Sequence, residues 1–220
     1  MHFINIRNSV EKIQVGKIVC VGRNYADHAK ELGNEVPEVP VIFLKPASAI
    51  IQSGQNVIHP SFTQNLHHEV ELVLLIGKTV KNADDKLAEE AISGYGVGLD
   101  MTLRDVQKEA MNTGNPWTIS KCFDTSAVLS DFVLKNDFTL TLDETISLSI
   151  NGKIQQNEKL NKLLHGPAAL VKYISSLITL EEGDLIFTGT PAGVSRVVPG
   201  DKLHGEISGM AVVETEIIAE

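Results

Sequence analysis

The chain has 220 residues, 43% of them hydrophobic, enough for one globular domain with a sizeable core. Its net charge of −9 excludes ordinary electrostatic binding to nucleic acid or an anionic membrane surface. No apolar run reaches the roughly 18 residues a membrane span needs, Met1–Arg7 lacks the pattern of a signal peptide, and Cys20 and Cys122 stand in no zinc or redox spacing, so a cytoplasmic, reducing setting is expected.

Residues 1–16 read as a short strand-and-turn segment ahead of a single domain over 17–220. Lys17–Val21 is an apolar strand stopped at Gly22, and Cys20 within it is expected to be a buried small hydrophobe. Helix formers follow over 23–32, ended by Gly33. On that helix His28 and Glu31 share a face, as a surface i,i+3 pair or as part of a site. The two prolines of 34–40 mark a loop, and Val41–Lys45 reads as a strand before Pro46.

The stretch His67–Gly77 is predicted to be the central strand. Strand alternation puts Glu69 and Glu71 on one face, leading into a wholly apolar run. The pair fits a solvated strand end or a partly buried site that needs a cation. Asp100, ending the Gly-rich apolar segment Gly94–Asp100, favours the second reading. Three carboxylates make an oxygen cage of the kind that suits Mg2+, Mn2+ or Ca2+ rather than a thiolate-loving metal.

Asp84 to Ser93 is predicted as a surface helix, capped by Asp84 or Asn82. Met101–Ala110 reads as a helix with Thr102 as its cap and Asp105 completing a capping box. Arg104 and Gln107 are its notable polar positions, close in sequence to Asp100. The loop 112–116 has the composition of a lid. Thr139–Leu142 and Ile146–Ile150 alternate like strands, with Asn151-Gly152 as a hairpin turn. His165-Gly-Pro-Ala opens a helix through Leu177, with Pro167 near its first turn. Leu185 to Gly193 reads as a strand entering a Gly/Pro loop, and two last strands lie near 202–207 and 211–218. The fold class is mixed α+β.

Taken in order, Val21-Gly-Arg-Asn-Tyr-Ala-Asp-His28 with Glu31, His68-Glu69-Val70-Glu71, Gly98-Leu-Asp100-Met-Thr-Leu-Arg104-Asp-Val-Gln107, Lys121 and Phe187-Thr-Gly-Thr190-Pro191 resemble the fumarylacetoacetate hydrolase superfamily. The likeness spans about residue 17 to the C-terminus. It is closest to the short branch holding acylpyruvase/oxaloacetate decarboxylase and fumarylpyruvate hydrolase. The resemblance implies a mixed β-sandwich roll with short flanking helices, often dimeric, using Mg2+ or Mn2+. It implies Glu69, Glu71 and Asp100 as metal ligands and His28 with Glu31 as a water-activating dyad on a short, lid-like helix. It implies Lys121 as the lysine beside the metal, and Gln107 and Thr190 as holders of the substrate carboxylate or enolate. Arg23, Ser48 and Arg104 transfer as further substrate contacts. One departure is Ser120-Lys121-Cys122, where relatives commonly carry a small Ala or Gly beside the lysine.

The implied chemistry is hydrolysis of a C–C bond in an acylpyruvate through a metal-stabilised enolate, with His28 as base for water. Decarboxylation or keto–enol tautomerisation of oxaloacetate is the alternative, and a non-enzymatic dimeric binding protein is a third reading. The expected partners are a small keto acid and a second copy of the chain, without nucleic acid or membrane.

Overall fold

The computed structural model describes residues 1–31, 33 and 35–220. It shows a mixed α+β fold of mostly short strands around a curled sheet. In the large sheet the strands run Val41–Lys45, Ile18–Gly22, Leu185–Phe187, Val70–Ile76, Ile92–Asp100, Ala127–Leu129 and Ile50–Gln52, with Val133–Leu134 added beside Ile92–Asp100. A second sheet orders Lys153–Lys159, Thr145–Ile150, Lys202–Ile207, Ala211–Ala219 and Val57–His59. Among the described residues five α-helices flank them: α1 (Ala26–Glu31), α2 (Asp85–Ala91), α3 (Arg104–Thr113), α4 (Thr118–Lys121) and α5 (Pro167–Leu177).

Val70–Ile76 is buried along its whole length because both of its faces are covered. Val70, Leu72, Leu74 and Ile76 pack with Ile146, Leu148, Leu203 and Val213 of the second sheet. Val73 and Leu75 face the other way, onto Ile18, Cys20, Phe132 and Phe187. The N-terminal hairpin Phe3–Asn5/Lys12–Gln14 closes that second core with Ile4, Ile6 and Val15. On the neighbouring strand Gly96 and Gly98 leave the room that these aromatics fill. A Cβ on Gly98 would stand 2.6 Å from the Phe187 ring, and one on Gly96 would stand 2.9 Å from Phe132.

Three local expectations are corrected. Thr102 caps no helix. It pairs with His67 in a two-residue ladder, and α3 starts at Arg104 with no side-chain cap. Asp105 accepts instead from the Thr63 hydroxyl (2.6 Å) and the Gln64 N–H (2.9 Å), so a tertiary partner outcompetes the local box. Thr139–Leu142 forms no strand; Thr141 turns onto Glu144 and Leu142 takes a left-handed φ of 68°. Of the loop 112–116, residues 112 and 113 complete α3, which ends at Gly114 with φ 70°. Asp84, rather than Asn82, caps α2 through the Leu87 N–H (2.8 Å). The expected helix end at residue 32 lies outside the described residues. Among the described residues no helix is long and apolar enough to cross a membrane.

Candidate active site and metal centre

Strand parity builds the site. Glu69 and Glu71 continue the face of Val73 and Leu75, and Asp100 continues the face of Gly96 and Gly98. The antiparallel register sets Glu71 opposite Gly98, and the Asp100 N–H donates to the Glu69 carbonyl (2.8 Å). Three carboxylates therefore meet at the ends of adjacent strands. All are buried, and one oxygen of each lies within 4.8 Å of the others.

Three cations, buried Lys121 and Lys45 and half-buried Arg104, answer them unevenly. Lys121 Nζ reaches Glu69 Oε2 (2.7 Å), Asp100 Oδ2 (2.6 Å) and the Thr102 hydroxyl (2.7 Å), which engages all three of its hydrogens. Arg104 pairs with Glu69 Oε1 and donates to Gln107 Oε1 (2.6 Å). Lys45 Nζ lies 2.8 Å from Asp100 Oδ1, but its hydrogen bonds go to the Lys121 carbonyl and to Ser126 O (3.1 Å) and Oγ (2.9 Å). Asp100 Oδ1 is left with a cation beside it and no hydrogen bond.

Glu71 has no cationic partner among the described residues; only the Gly189 N–H donates to it (2.7 Å). Burial, together with the charges of Asp100 and Glu69, pushes its carboxyl well above the usual range. Burial works the same way on Glu69, but Lys121 and Arg104 outweigh it and hold that carboxyl low. Burial would likewise depress Lys121, and Asp100 and Glu69 reverse it. An unpartnered buried carboxylate beside an orphaned Asp100 oxygen is what an oxygen-ligated divalent cation would satisfy, so the donor set fits Mg2+ or Mn2+.

A small pocket, with a cavity volume of about 40 Å3, opens on the cluster. Arg23, His28, Glu69, Glu71, Asp100, Arg104, Gln107, Lys121 and Thr190 all line it. Ser48 does not: it is exposed on the turn Ala47–Ala49, because its neighbour Ala49 takes the inward position. Phe43 and Trp117, edge to face at 5.6 Å, form an apolar wall. Arg23 holds a left-handed φ of 59° where the chain turns from strand into α1.

His28 is buried under α1. Its Nδ1 meets Glu31 Oε2 at 3.1 Å, and the other Glu31 oxygen accepts the Gly193 N–H at 3.0 Å. Asn24 ties the start of the helix down: its amide donates to the carbonyls of His165 (3.0 Å) and Thr188 (2.8 Å), and its oxygen accepts from the His165 N–H (2.8 Å). The helix expected to be lid-like is thus tied down beside the pocket. Burial lowers the His28 pKa below its ordinary value, more than Glu69 and the Glu31 hydrogen bond raise it, so the imidazole is neutral near pH 7 and able to accept a proton.

Sequence reasoning missed Lys45, His68 as a packed group, and Gln156. Lys45 is among the largest fully buried side chains. A lysine before a proline on a strand carries no signal of that, since its partners Asp100, the Lys121 carbonyl and Ser126 are all distant in sequence.

The family model "Fumarylacetoacetate (FAA) hydrolase C-terminal" matches residues 17–218. An oxaloacetate tautomerase of Escherichia coli is 45% identical over 196 residues, 89% of this chain and 90% of that protein. The mitochondrial oxaloacetate decarboxylase of Dictyostelium discoideum is 45% identical over 195 residues, 88% of this chain and 89% of its own. Among solved structures, fumarylpyruvate hydrolase from Pseudomonas aeruginosa, in complex with Mn2+ and pyruvate, superposes with a TM-score of 0.96 at 38% identity, covering 99% of this chain and 96% of that one.

Proposed function

The chain belongs to the fumarylacetoacetate hydrolase family, and on that premise we propose that it is a Mg2+- or Mn2+-dependent enzyme acting on 2-keto acids through their enols. Its main reaction in this reading is keto–enol interconversion of oxaloacetate. The sequence alone put C–C hydrolysis of acylpyruvates first; relatives at 45% identity that act on oxaloacetate reverse the order. Hydrolysis stands as the second reading, supported by the likeness to fumarylpyruvate hydrolase and by the His28–Glu31 pair. Decarboxylation of oxaloacetate draws on the same enol chemistry.

The observation that carries the proposal is a buried His28, backed by Glu31, in one pocket with three carboxylates that fit a divalent cation. Glu69, Glu71 and Asp100 would hold that cation, which when bound supplies a Lewis acid for adjacent keto and carboxylate oxygens. The chain's own groups do the rest. His28 accepts the proton from the carbon next to the ketone, and Glu31 orients the ring and supports the imidazolium. Returning that proton to the former ketone oxygen completes a tautomerisation, with no water consumed. In hydrolysis His28 takes its proton from water instead. Lys121 fixes Glu69 and Asp100 relative to each other, and with all three hydrogens engaged it reaches a substrate oxygen only by releasing one partner. The Gln107 amide nitrogen, its oxygen held by Arg104, is a donor available to a substrate oxygen. The proposal includes a homodimer as the working form. The two unpaired cysteines fit a reducing, cytoplasmic setting.

The test follows enol absorbance of oxaloacetate, and pyruvate release from acetylpyruvate, at saturating Mg2+ in wild type and His28→Ala. Catalysed loss of enol without release of pyruvate or CO2 is the expected wild-type result. His28→Ala should lower that rate by roughly two to four orders of magnitude. A wild-type protein that turns over neither compound, or a variant as fast as wild type, contradicts the proposal.

A further inference from the structure

Behind the pocket wall a buried polar chain runs through His68, Gln156 and Thr190. Its direction follows from main-chain groups that have only one role. The Pro191 carbonyl can only accept, so the Gln156 atom 2.8 Å from it is the amide nitrogen. The Gln156 oxygen accepts the Val70 N–H (3.2 Å). The amide is pinned at both ends, and His68 Nδ1, 2.9 Å from that oxygen, must donate. Gln156 Nε2 also donates to the Thr190 hydroxyl oxygen (2.7 Å). The Thr190 hydroxyl hydrogen in turn goes to the Val70 carbonyl (2.9 Å), between Glu69 and Glu71.

Thr190 therefore has no hydroxyl hydrogen left to give. Its oxygen keeps one lone pair, its N–H has no partner among the described residues, and it lines the pocket. We infer that Gln156, backed by His68, is a positioning residue that holds the Thr190 hydroxyl as a hydrogen-bond acceptor toward the pocket. This wall then selects a hydrogen-bearing oxygen, the O–H of an enol or a water, over an anionic one. The adjacent N–H suits a carboxylate oxygen, and an enol acid carries both groups side by side. The inference deepens the keto–enol reading and corrects the expectation that the Thr190 hydroxyl holds a carboxylate or enolate directly.

The probe is oxalate, a planar dianion with no hydrogen to donate. Its affinity and the kcat/KM for oxaloacetate enol are measured in wild type, Thr190→Val, Thr190→Ser and Gln156→Leu, with folding checked by circular dichroism. Turnover is expected to drop about tenfold in Thr190→Val and in Gln156→Leu, the size of one lost hydrogen bond. Thr190→Ser is expected to restore part of the Thr190→Val loss. A double variant combining Thr190→Val with Gln156→Leu, measured alongside, should be no worse than Thr190→Val alone, because both changes remove one interaction. Oxalate affinity should stay within about twofold of wild type throughout. A tenfold loss of oxalate binding in Thr190→Val would mean that the hydroxyl donates to anions, and would overturn the inference. So would unchanged turnover in a folded Gln156→Leu. If Gln156→Leu does not fold, oxalate binding to Thr190→Val still decides. A wild type that binds oxalate but turns over no keto acid defeats the proposed function, while the oxalate comparison still reads the hydroxyl's direction. A wild type that binds no oxalate defeats both.

Discussion

The buried charged and polar groups beneath the pocket are partnered unevenly, and Lys45 and His68 show how. Lys45 brings a full charge into the core beside Asp100, where it also satisfies the Lys121 and Ser126 carbonyls. Lys45→Met keeps the volume and removes the charge, leaving those acceptors unpaired. It should cost on the order of 3 kcal/mol in urea denaturation; an unshifted midpoint would show that Lys45 is not needed to hold Asp100. Burial lowers the His68 pKa from about 6.5 to about 4, although the Gln156 hydrogen bond and Glu69 pull it upward. The folded state thus resists a proton that the unfolded chain accepts. The stability this gives is complete above about pH 6.5 and is lost as pH falls toward 4, by up to about 3 kcal/mol. Urea midpoints at pH 7 and pH 4.5 should fall less steeply in His68→Asn than in wild type, and parallel slopes would contradict the role. Glu69, Glu71 and Asp100 were legible in the sequence because acids at strand spacing beside an apolar run are costly without a partner. Gln156 was not: it occupies one inward position of the largely exposed strand Lys153–Lys159, where its neighbours are ordinary surface residues.

Elements were legible where local signals met no competitor. Val70–Ile76, α2, α5 and the Asn151-Gly152 hairpin follow from periodicity, caps and turn chemistry. The start of α3 was not legible, because the Thr102 ladder to His67 is a contact between segments far apart in sequence. The same holds for the clamp on α1, which depends on Asn24 meeting residues 165 and 188. The edge strand Val41–Lys45 bears on assembly. It pairs on one side only, exposes half of Leu44, and shares a groove with Asn115–Thr118 beside exposed Ile119. An open apolar sheet edge is ordinarily covered. The expected cover is a second copy of the chain, so sedimentation should give a dimer that Leu44→Lys or Ile119→Lys weakens. A monomer at micromolar concentration would count against the homodimer.

Over the whole molecule, two sheets and a short hairpin serve one end of one strand pair. The second sheet and the N-terminal hairpin seal the two faces of Val70–Ile76, and the glycines of Ile92–Asp100 let Phe132 and Phe187 close the gap beneath the carboxylates. The pocket lid comes from the chain just after the first core strand and latches onto the loop after Leu185–Phe187, so His28 reaches the site only in the assembled fold. Everything proposed for function rests on Glu69, Glu71 and Asp100 acting together as a divalent metal centre. The most direct test is a Mn2+ titration followed by electron paramagnetic resonance, in wild type and in Glu71→Ala, with folding of both confirmed by circular dichroism. The expected result is one bound Mn2+ per wild-type chain and a loss of at least tenfold in affinity in Glu71→Ala. No Mn2+ bound by wild type, or equal binding by a folded Glu71→Ala, would contradict the metal centre and the chemistry built on it.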